Sequence, residues 1–316
     1  MKRTPLIASL TTVALLGLAG CGGGDEALES DSSGDSGSGD SGSSGEVVVG
    51  SANFPENALL AEIYAGALNG AGVEATTKLN IGSREVYIPA IEDASIDILP
   101  EYTGVLRDYF LAEEEAGAVG ESSDSEGVYS ELTDTLPEEL TVLDYSEAED
   151  KDAVVVTSET AEEYDLTEIG DLAEVAGDLT LGGAPEWKTR QTGLPGLEEV
   201  YGVVFGDFIE LDAGGPQSLG ALLNGRVDAA NLFTTDPNIA AEDLVPLEDP
   251  DALFAAQNIV PLLRSEVVDD TVTETLNSVS EALDTETLGA LVTQVVIDKE
   301  DPQAVAEQFL ADNDLA

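Results

Sequence analysis

Apolar positions along this chain keep changing their spacing, and the changes mark out strands and helices. Val47 to Gly50 is a short β-branched run that stops at the turn-like Ser51-Ala52-Asn53. Pro55 suits the first turn of a helix, on which Leu59, Leu60, Ile63, Ala67 and Leu68 recur at helical spacing. Val73 to Leu79 reads as a strand, Ser83 to Ile91 as a helix and Ile96 to Leu99 as a buried strand. The alternation resumes with Ala153 to Val156, a helix from Ala161, Leu179 to Leu181 and a helix ending near Tyr201. Gln217 to Leu223, Val227 to Leu232 and Ile259 to Leu262 follow. Three helical patterns close the chain, near Val272 to Leu283, Glu286 to Val296 and Pro302 to Leu310. Such alternation predicts an α/β fold with mostly parallel sheets. Glu113 to Glu126, rich in Glu, Gly, Ala and Ser, reads as a surface excursion. No repeat of solenoid period and no glycine-rich phosphate loop after a strand is present.

The first 45 residues follow a different pattern. Lys2 and Arg3 precede an apolar run from Leu6 to Leu18, which ends in Leu18-Ala19-Gly20-Cys21. The run is too short to span a bilayer and has the flanks of an export signal. Cys21 is the only cysteine, and its setting resembles the lipobox of bacterial-type lipoproteins. Residues 1–21 are therefore expected to be a lipoprotein signal with Cys21 the acylated residue. Residues 22–45, built of Gly, Ser and Asp, have too little apolar surface to offset the entropy of ordering them and read as a disordered tether.

Charge narrows the choice of partners. The chain has 65 acids against 11 bases, a formal net charge of −54. So acidic a surface excludes binding to nucleic acid or anionic lipid through bulk electrostatics. It suits either a saline habitat, where screening shortens repulsion, or an exposed acid-rich surface, the saline reading being preferred. Lys188 and Arg190 form the tightest cationic pair of the body. Catalytic chemistry finds little support. With no histidine and one cysteine, the usual general base, soft metal ligands and nucleophile systems are missing. Acids are so common that a carboxylate pair carries no information, and Glu248-Asp249-Pro250-Asp251 lacks EF-hand spacing. No enzyme activity, cofactor or metal is expected.

Two segments are more specific. One is Asn80-Ile81-Gly82-Ser83-Arg84-Glu85, continued by Ile88-Pro89-Ala90-Ile91 and by Ile96-Asp97-Ile98-Leu99-Pro100-Glu101-Tyr102-Thr103-Gly104. The other is Lys151-Asp152-Ala153-Val154-Val155-Val156-Thr157. With Ser51-Ala52-Asn53-Phe54, these resemble the quaternary-amine (glycine betaine, carnitine, choline) binding proteins of osmoprotectant ABC importers. The likeness runs from about Glu46 to Ala316, and Pro-Glu-Tyr-Thr-Gly is its most specific part. It implies a two-lobed solute-binding fold of type II with an inter-lobe cleft. Lobe 1 would take residues 46–147 plus 256–316, and lobe 2 residues 148–255.

A trimethylammonium group has charge but no N–H, so aromatic faces and nearby carboxylates must hold it. The family builds its box from tyrosines. Tyr102 matches one of these, Asp152 replaces a second, Phe233 replaces a third and keeps the ring, and Gln257 falls at the fourth. Arg190 matches the family's carboxylate-binding arginine, with Trp187 and Lys188 beside it, and Asn57 matches an amide contact; Asn53 is a weaker candidate. Val105 replaces a hydroxyl residue, which weakens a carboxylate clamp. Asp152 favours a net cation such as choline over a zwitterion, whereas Arg190 favours a carboxylate. The resemblance thus implies a monomeric extracytoplasmic lipoprotein, anchored to the outer face of the cell membrane by lipid alone. It would deliver a quaternary-ammonium solute to an ABC permease. A same-fold protein for another solute, such as an amino acid, and a non-transport surface lipoprotein are the alternatives.

Overall fold

In the computed structural model, which describes residues 46–316, strands and helices alternate along the whole body. The export signal, Cys21 and the tether lie outside the described residues. The elements run β1 (Val47–Gly50), α1 (Pro55–Gly70), β2 (Ala75–Lys78), α2 (Arg84–Glu92), β3 (Ile98–Tyr102), α3 (Thr103–Glu114), α4 (Ser125–Thr135) and β4 (Leu140–Val142). Then come β5 (Asp152–Thr157), α5 (Ser158–Tyr164), β6 (Thr180–Gly183), α6 (Leu194–Tyr201), β7 (Asp207–Glu210), α7 (Pro216–Leu223), β8 (Ala229–Phe233), α8 (Asn238–Ala241) and β9 (Leu244–Pro246). The chain closes with β10 (Ile259–Arg264), α9 (Asp270–Ala282), α10 (Thr285–Val296) and α11 (Pro302–Asp312). Among the described residues, no helix is long and apolar enough to cross a membrane.

Two five-stranded sheets result, ordered β2-β1-β3-β10-β4 and β7-β6-β8-β5-β9. The chain passes from the first to the second between β4 and β5, and returns between β9 and β10. The two passing segments run side by side: the Asp150 N–H donates to the Gln257 carbonyl at 3.1 Å, and the Ile259 N–H to the Ala148 carbonyl at 3.0 Å. The expectation of mostly parallel sheets needs correction. β1 pairs in parallel with β2 and β3, as β6 does with β7 and β8, but β10 and β5 run antiparallel to both of their neighbours. The reason is topological. β5 and β10 are the first strands entered after a passage, so no βα unit fixes their direction.

Helix α1 is apolar on most of its circumference, since Leu59, Leu60, Ile63, Tyr64 and Leu68 are all fully buried. It packs on the first sheet with one side and against α9, α10 and α11 with the other. Pro55 occupies its first turn, where the missing N–H has no helical partner to lose. Strand β3 lies between β1 and β10 and is buried at every residue. Pro100 and Pro261 face each other across β3 and β10. Neither can donate to the ladder, and the Pro100 carbonyl, which points away from β10, accepts from the Asn57 side-chain amide at 2.8 Å. Several elements were invisible to periodicity. α4, β4 and β9 are short or weakly apolar, and β7 has no fully buried residue.

The Thr-Gly that follows Tyr102 has a packing reason. A Cβ on Gly104 would stand 2.6 Å from the Ala256 carbonyl oxygen, a backbone atom in the returning segment. Thr103 meets that segment too, its N–H and hydroxyl donating to the Asn258 and Ala256 carbonyls. Gly104→Ala should therefore destabilise the fold by about 1–3 kcal/mol, read as a lower midpoint in thermal or urea unfolding. An unchanged midpoint would mean that the approach of α3 to the returning segment is not tight.

Candidate functional site

Where the two sheets face each other, the ends of several strands surround a small cavity. The β1–α1 turn contributes Phe54, the end of β3 Tyr102, the passing segments Asp150 and Gln257, and β5 and β8 Asp152 and Phe233. Its volume is about 60 Å³, room for roughly four to six waters by the usual allowance per molecule. Phe54 sits between the other two rings, with centroids 6.0 Å from Tyr102 and 5.0 Å from Phe233. Trp187 and Tyr87, both buried, add two more aromatic side chains to the lining. Five rings from both sheets thus share one cavity with two carboxylates.

Five of the residues singled out in the sequence meet here: Tyr102, Asp152, Arg190, Phe233 and Gln257. Asn53 and Val105 also line the wall. Asn57 does not. Its side chain is engaged in the frame, accepting from the Ala52 N–H at 2.7 Å and donating to the Pro100 carbonyl at 2.8 Å. Arg190 is present but engaged. Its Nε and Nη2 donate to the two carboxylate oxygens of Glu85 at 3.0 and 2.9 Å, a forked pair that joins the second sheet's half to the first. Burial opposes ionisation of Glu85, yet the Arg190 charge draws its carboxyl below the ordinary value. Lys188 turns away to Glu210 and the Phe208 ring, so the cationic pair of the sequence splits between two tasks.

Several lining or supporting groups carried no signal in the sequence. Arg84 and Tyr87 are held by the fully buried Glu101, which accepts from Arg84 Nε and Nη2 at 2.8 Å each and from the Tyr87 hydroxyl at 2.7 Å. Asn231 donates to Asp152 Oδ1 at 2.8 Å. Phe54 was quoted only as part of a motif, although its place just before Pro55 puts it at the helix start. Glu56 and Asp150 were lost among 65 acids. Glu56 Oε1 accepts from the Tyr102 hydroxyl at 2.7 Å, and its Oε2 from the Thr235 hydroxyl. Asp150 accepts from the Thr235 N–H at 3.0 Å and the Thr234 hydroxyl at 3.2 Å. Beyond Phe54 and Phe233 a second cavity of about 200 Å³ shares these two rings and Asp150 with the first and is lined also by Glu56, but much of its remaining wall is aliphatic.

Among the described residues, no group of three or more His, Cys, Asp or Glu side chains could hold a metal ion. The acidic turn at Glu248–Asp251 closes on itself, with Asp249 accepting from the Leu253 and Phe254 N–H groups and from the Tyr201 hydroxyl. No nucleophile and base are paired in the cavity. Its chemistry is that of holding a small molecule.

Burial pushes the carboxyls of Glu56 and Asp150 upward, aided at Asp150 by the Glu56 charge and at Glu56 by the Asp236 charge, against the hydrogen bonds that favour ionisation. Burial, and then the Glu56 and Asp150 charges, raise the Tyr102 hydroxyl as well. The folded protein therefore keeps protons on the acid pair that the unfolded chain would release. Stability from the pair is full below the ordinary values of 4.5 and 3.8, and is lost as pH rises through the raised folded values. Asp150→Asn removes one of the two charges. Its melting temperature should fall less than wild type's between about pH 5 and about pH 8, ending about 2–4 °C higher at the alkaline end. Parallel pH profiles would mean that the pair is not coupled to folding.

Comparison with known proteins accords with this geometry. A glycine betaine-binding protein of Escherichia coli (strain K12), YehZ, is 29% identical over 274 residues, covering 84% of this chain and 89% of its own. A glycine-betaine-binding protein of Pseudomonas aeruginosa is 27% identical over 281 residues, covering 84% and 88%. Among solved structures, a glycine betaine/carnitine/choline ABC transporter protein shares the fold with a TM-score of 0.64 at 22% identity, over 85% of this chain and 99% of that one. Apo YehZ aligns with a TM-score of 0.58 at 27% identity, over 86% and 99%. Residues 45–312 match the substrate-binding domain of ABC-type glycine betaine transport systems, and the chain belongs to that family of solute-binding, non-catalytic proteins.

Proposed function

We propose that this protein is an extracytoplasmic lipoprotein that captures a quaternary-ammonium solute between two closing lobes and hands it to the permease of an ABC importer. The observation that carries the ligand class is the cavity itself, in which aromatic rings from both sheets surround a space bordered by Asp150 and Asp152. A methylated ammonium offers no N–H for a hydrogen bond, and ring faces with acids are the environment that holds it. Residues 46–147 plus 256–316 would move as lobe 1 and residues 148–255 as lobe 2, hinged at the two passing segments. Binding favours the closed form because Phe54 and Tyr102 on one lobe and Phe233 on the other meet the solute together. Relatives bearing glycine betaine-binding names support the same class.

Isothermal titration of the purified protein with choline, glycine betaine, carnitine and proline betaine tests the reading. At least one should bind, and Tyr102→Ala or Phe233→Ala should each weaken that binding about 5- to 30-fold, as expected for removing one cation–π face. Silence with all four solutes would reject the ligand class and leave the fold untouched. The anchor is tested separately. Cys21→Ser should move the protein from the membrane fraction to the soluble extracytoplasmic fraction, and retention on the membrane would argue against lipidation at that residue.

A further inference from the structure

We propose that Asp152 and Gln257 form a hydroxyl-reading pair, which makes the preferred solute a quaternary ammonium alcohol and disfavours a carboxylate at the same end. The inference rests on the ligand class proposed above and specifies it. Two independent features lead to it.

The first is an open hydrogen-bond donor. Gln257 is only 3% exposed and lines the cavity, and its Nε2 makes no hydrogen bond of good geometry, although the side chain lies close enough to Asp152 to favour that carboxyl's ionisation. A buried N–H left without an acceptor is costly, so such a group in a binding cavity points to an acceptor atom on the ligand. Asp152 lies on the same wall, and its Oδ1 is oriented by the Asn231 amide at 2.8 Å. An acceptor and an unsatisfied donor side by side are complementary to one group that can both donate and accept. A hydroxyl does this; a carboxylate only accepts.

The second is the disposition of charge. Two arginines line the cavity, and each already has a protein carboxylate in its fork: Glu101 for Arg84 and Glu85 for Arg190. Asp150 and Asp152 have no such cation. The arginine that the family pattern would assign to a ligand carboxylate is thus engaged, while Asp152 has no arginine in its fork. A zwitterion placing its carboxylate by Asp152 meets an acid there, and the guanidiniums of Arg84 and Arg190, whose charges reach Asp152, are already forked to Glu101 and Glu85. A cation with its ammonium on the rings and its hydroxyl at Asp152 and Gln257 places no second acid there. Asp152 stands directly opposite Phe233 across β5 and β8, so ring and acid are neighbours.

Calorimetry on the full-length protein with three probes tests this: choline, glycine betaine, and ethyltrimethylammonium, which matches choline without its hydroxyl. Choline should bind about tenfold tighter than ethyltrimethylammonium, the worth of a hydrogen bond to a charged partner, and by a larger factor than glycine betaine. Gln257→Leu should shrink the ratio of choline to ethyltrimethylammonium affinity, a ratio that cancels any loss common to both probes. Asp152→Asn, nearly isosteric, should narrow the gap between choline and glycine betaine from both sides. Thermal melting confirms that each variant is folded. Glycine betaine binding as tightly as choline, or a choline-to-ethyltrimethylammonium ratio unmoved by Gln257→Leu, would overturn the hydroxyl-reading pair and leave the quaternary-amine reading in place. No binding of any probe would overturn both.

Discussion

Carboxylates buried in a chain so short of cations set the terms for the rest of this structure. Taking an ion out of water costs several kcal/mol, and the chain holds 65 acids to 11 bases. Glu101 takes an arginine for itself and adds the Tyr87 hydroxyl and the Tyr102 N–H. Glu56 and Asp150 find no cation, and they accept instead from Tyr102, Thr234 and Thr235. Each such hydrogen bond offsets about 1.5–3 kcal/mol, which falls short for two facing acids. Retained protons make up the difference, which is why both carboxyls are pushed upward.

The same acids tie the two halves of the molecule together. Glu56 stands in the first turn of α1, and its partners Tyr102 and Thr235 belong to the first and second halves respectively. Phe54, one residue before α1, packs on Phe233 at 5.0 Å. Asp150 and Gln257 lie in the passing segments themselves, so the segments that join the two sheets also supply part of the cavity wall. Any molecule that touches these residues touches the joining segments directly. That economy follows from a topology in which strand ends and passages converge on one place.

Contacts across the cleft differ in how they respond to salt. The Arg190–Glu85 pair is partly exposed on both sides. Exposed pairs contribute about 0–1 kcal/mol and are screened within about 3 Å at 1 M salt. The Phe54–Phe233 contact and the buried Glu56 hydrogen bonds are insensitive to screening and grow no weaker in brine. At high ionic strength the contact between the two halves therefore rests on rings and hydroxyls. The forked ion pair then orients Arg190 and keeps it from other carboxylates more than it adds stability.

By itself the sequence determined the alternation of strands and helices, because hydrophobic period is a local property that neighbouring residues express together. It marked Tyr102 through the run Pro-Glu-Tyr-Thr-Gly, whose glycine is demanded by a backbone approach at 2.6 Å. It brought Asp152, Phe233, Gln257 and Arg190 under suspicion by position in a pattern, and the fold gathers all four around one cavity. Tertiary structure decided what each of them faces. Arg190 meets Glu85 across 105 residues of sequence, Glu56 meets Thr235 across 179, and Asn57 meets the Pro100 carbonyl across 43. Which acids are buried, which arginines are already paired and which amide is left open depend on register between distant segments. Local composition, saturated with interchangeable acids, has no means of encoding that choice.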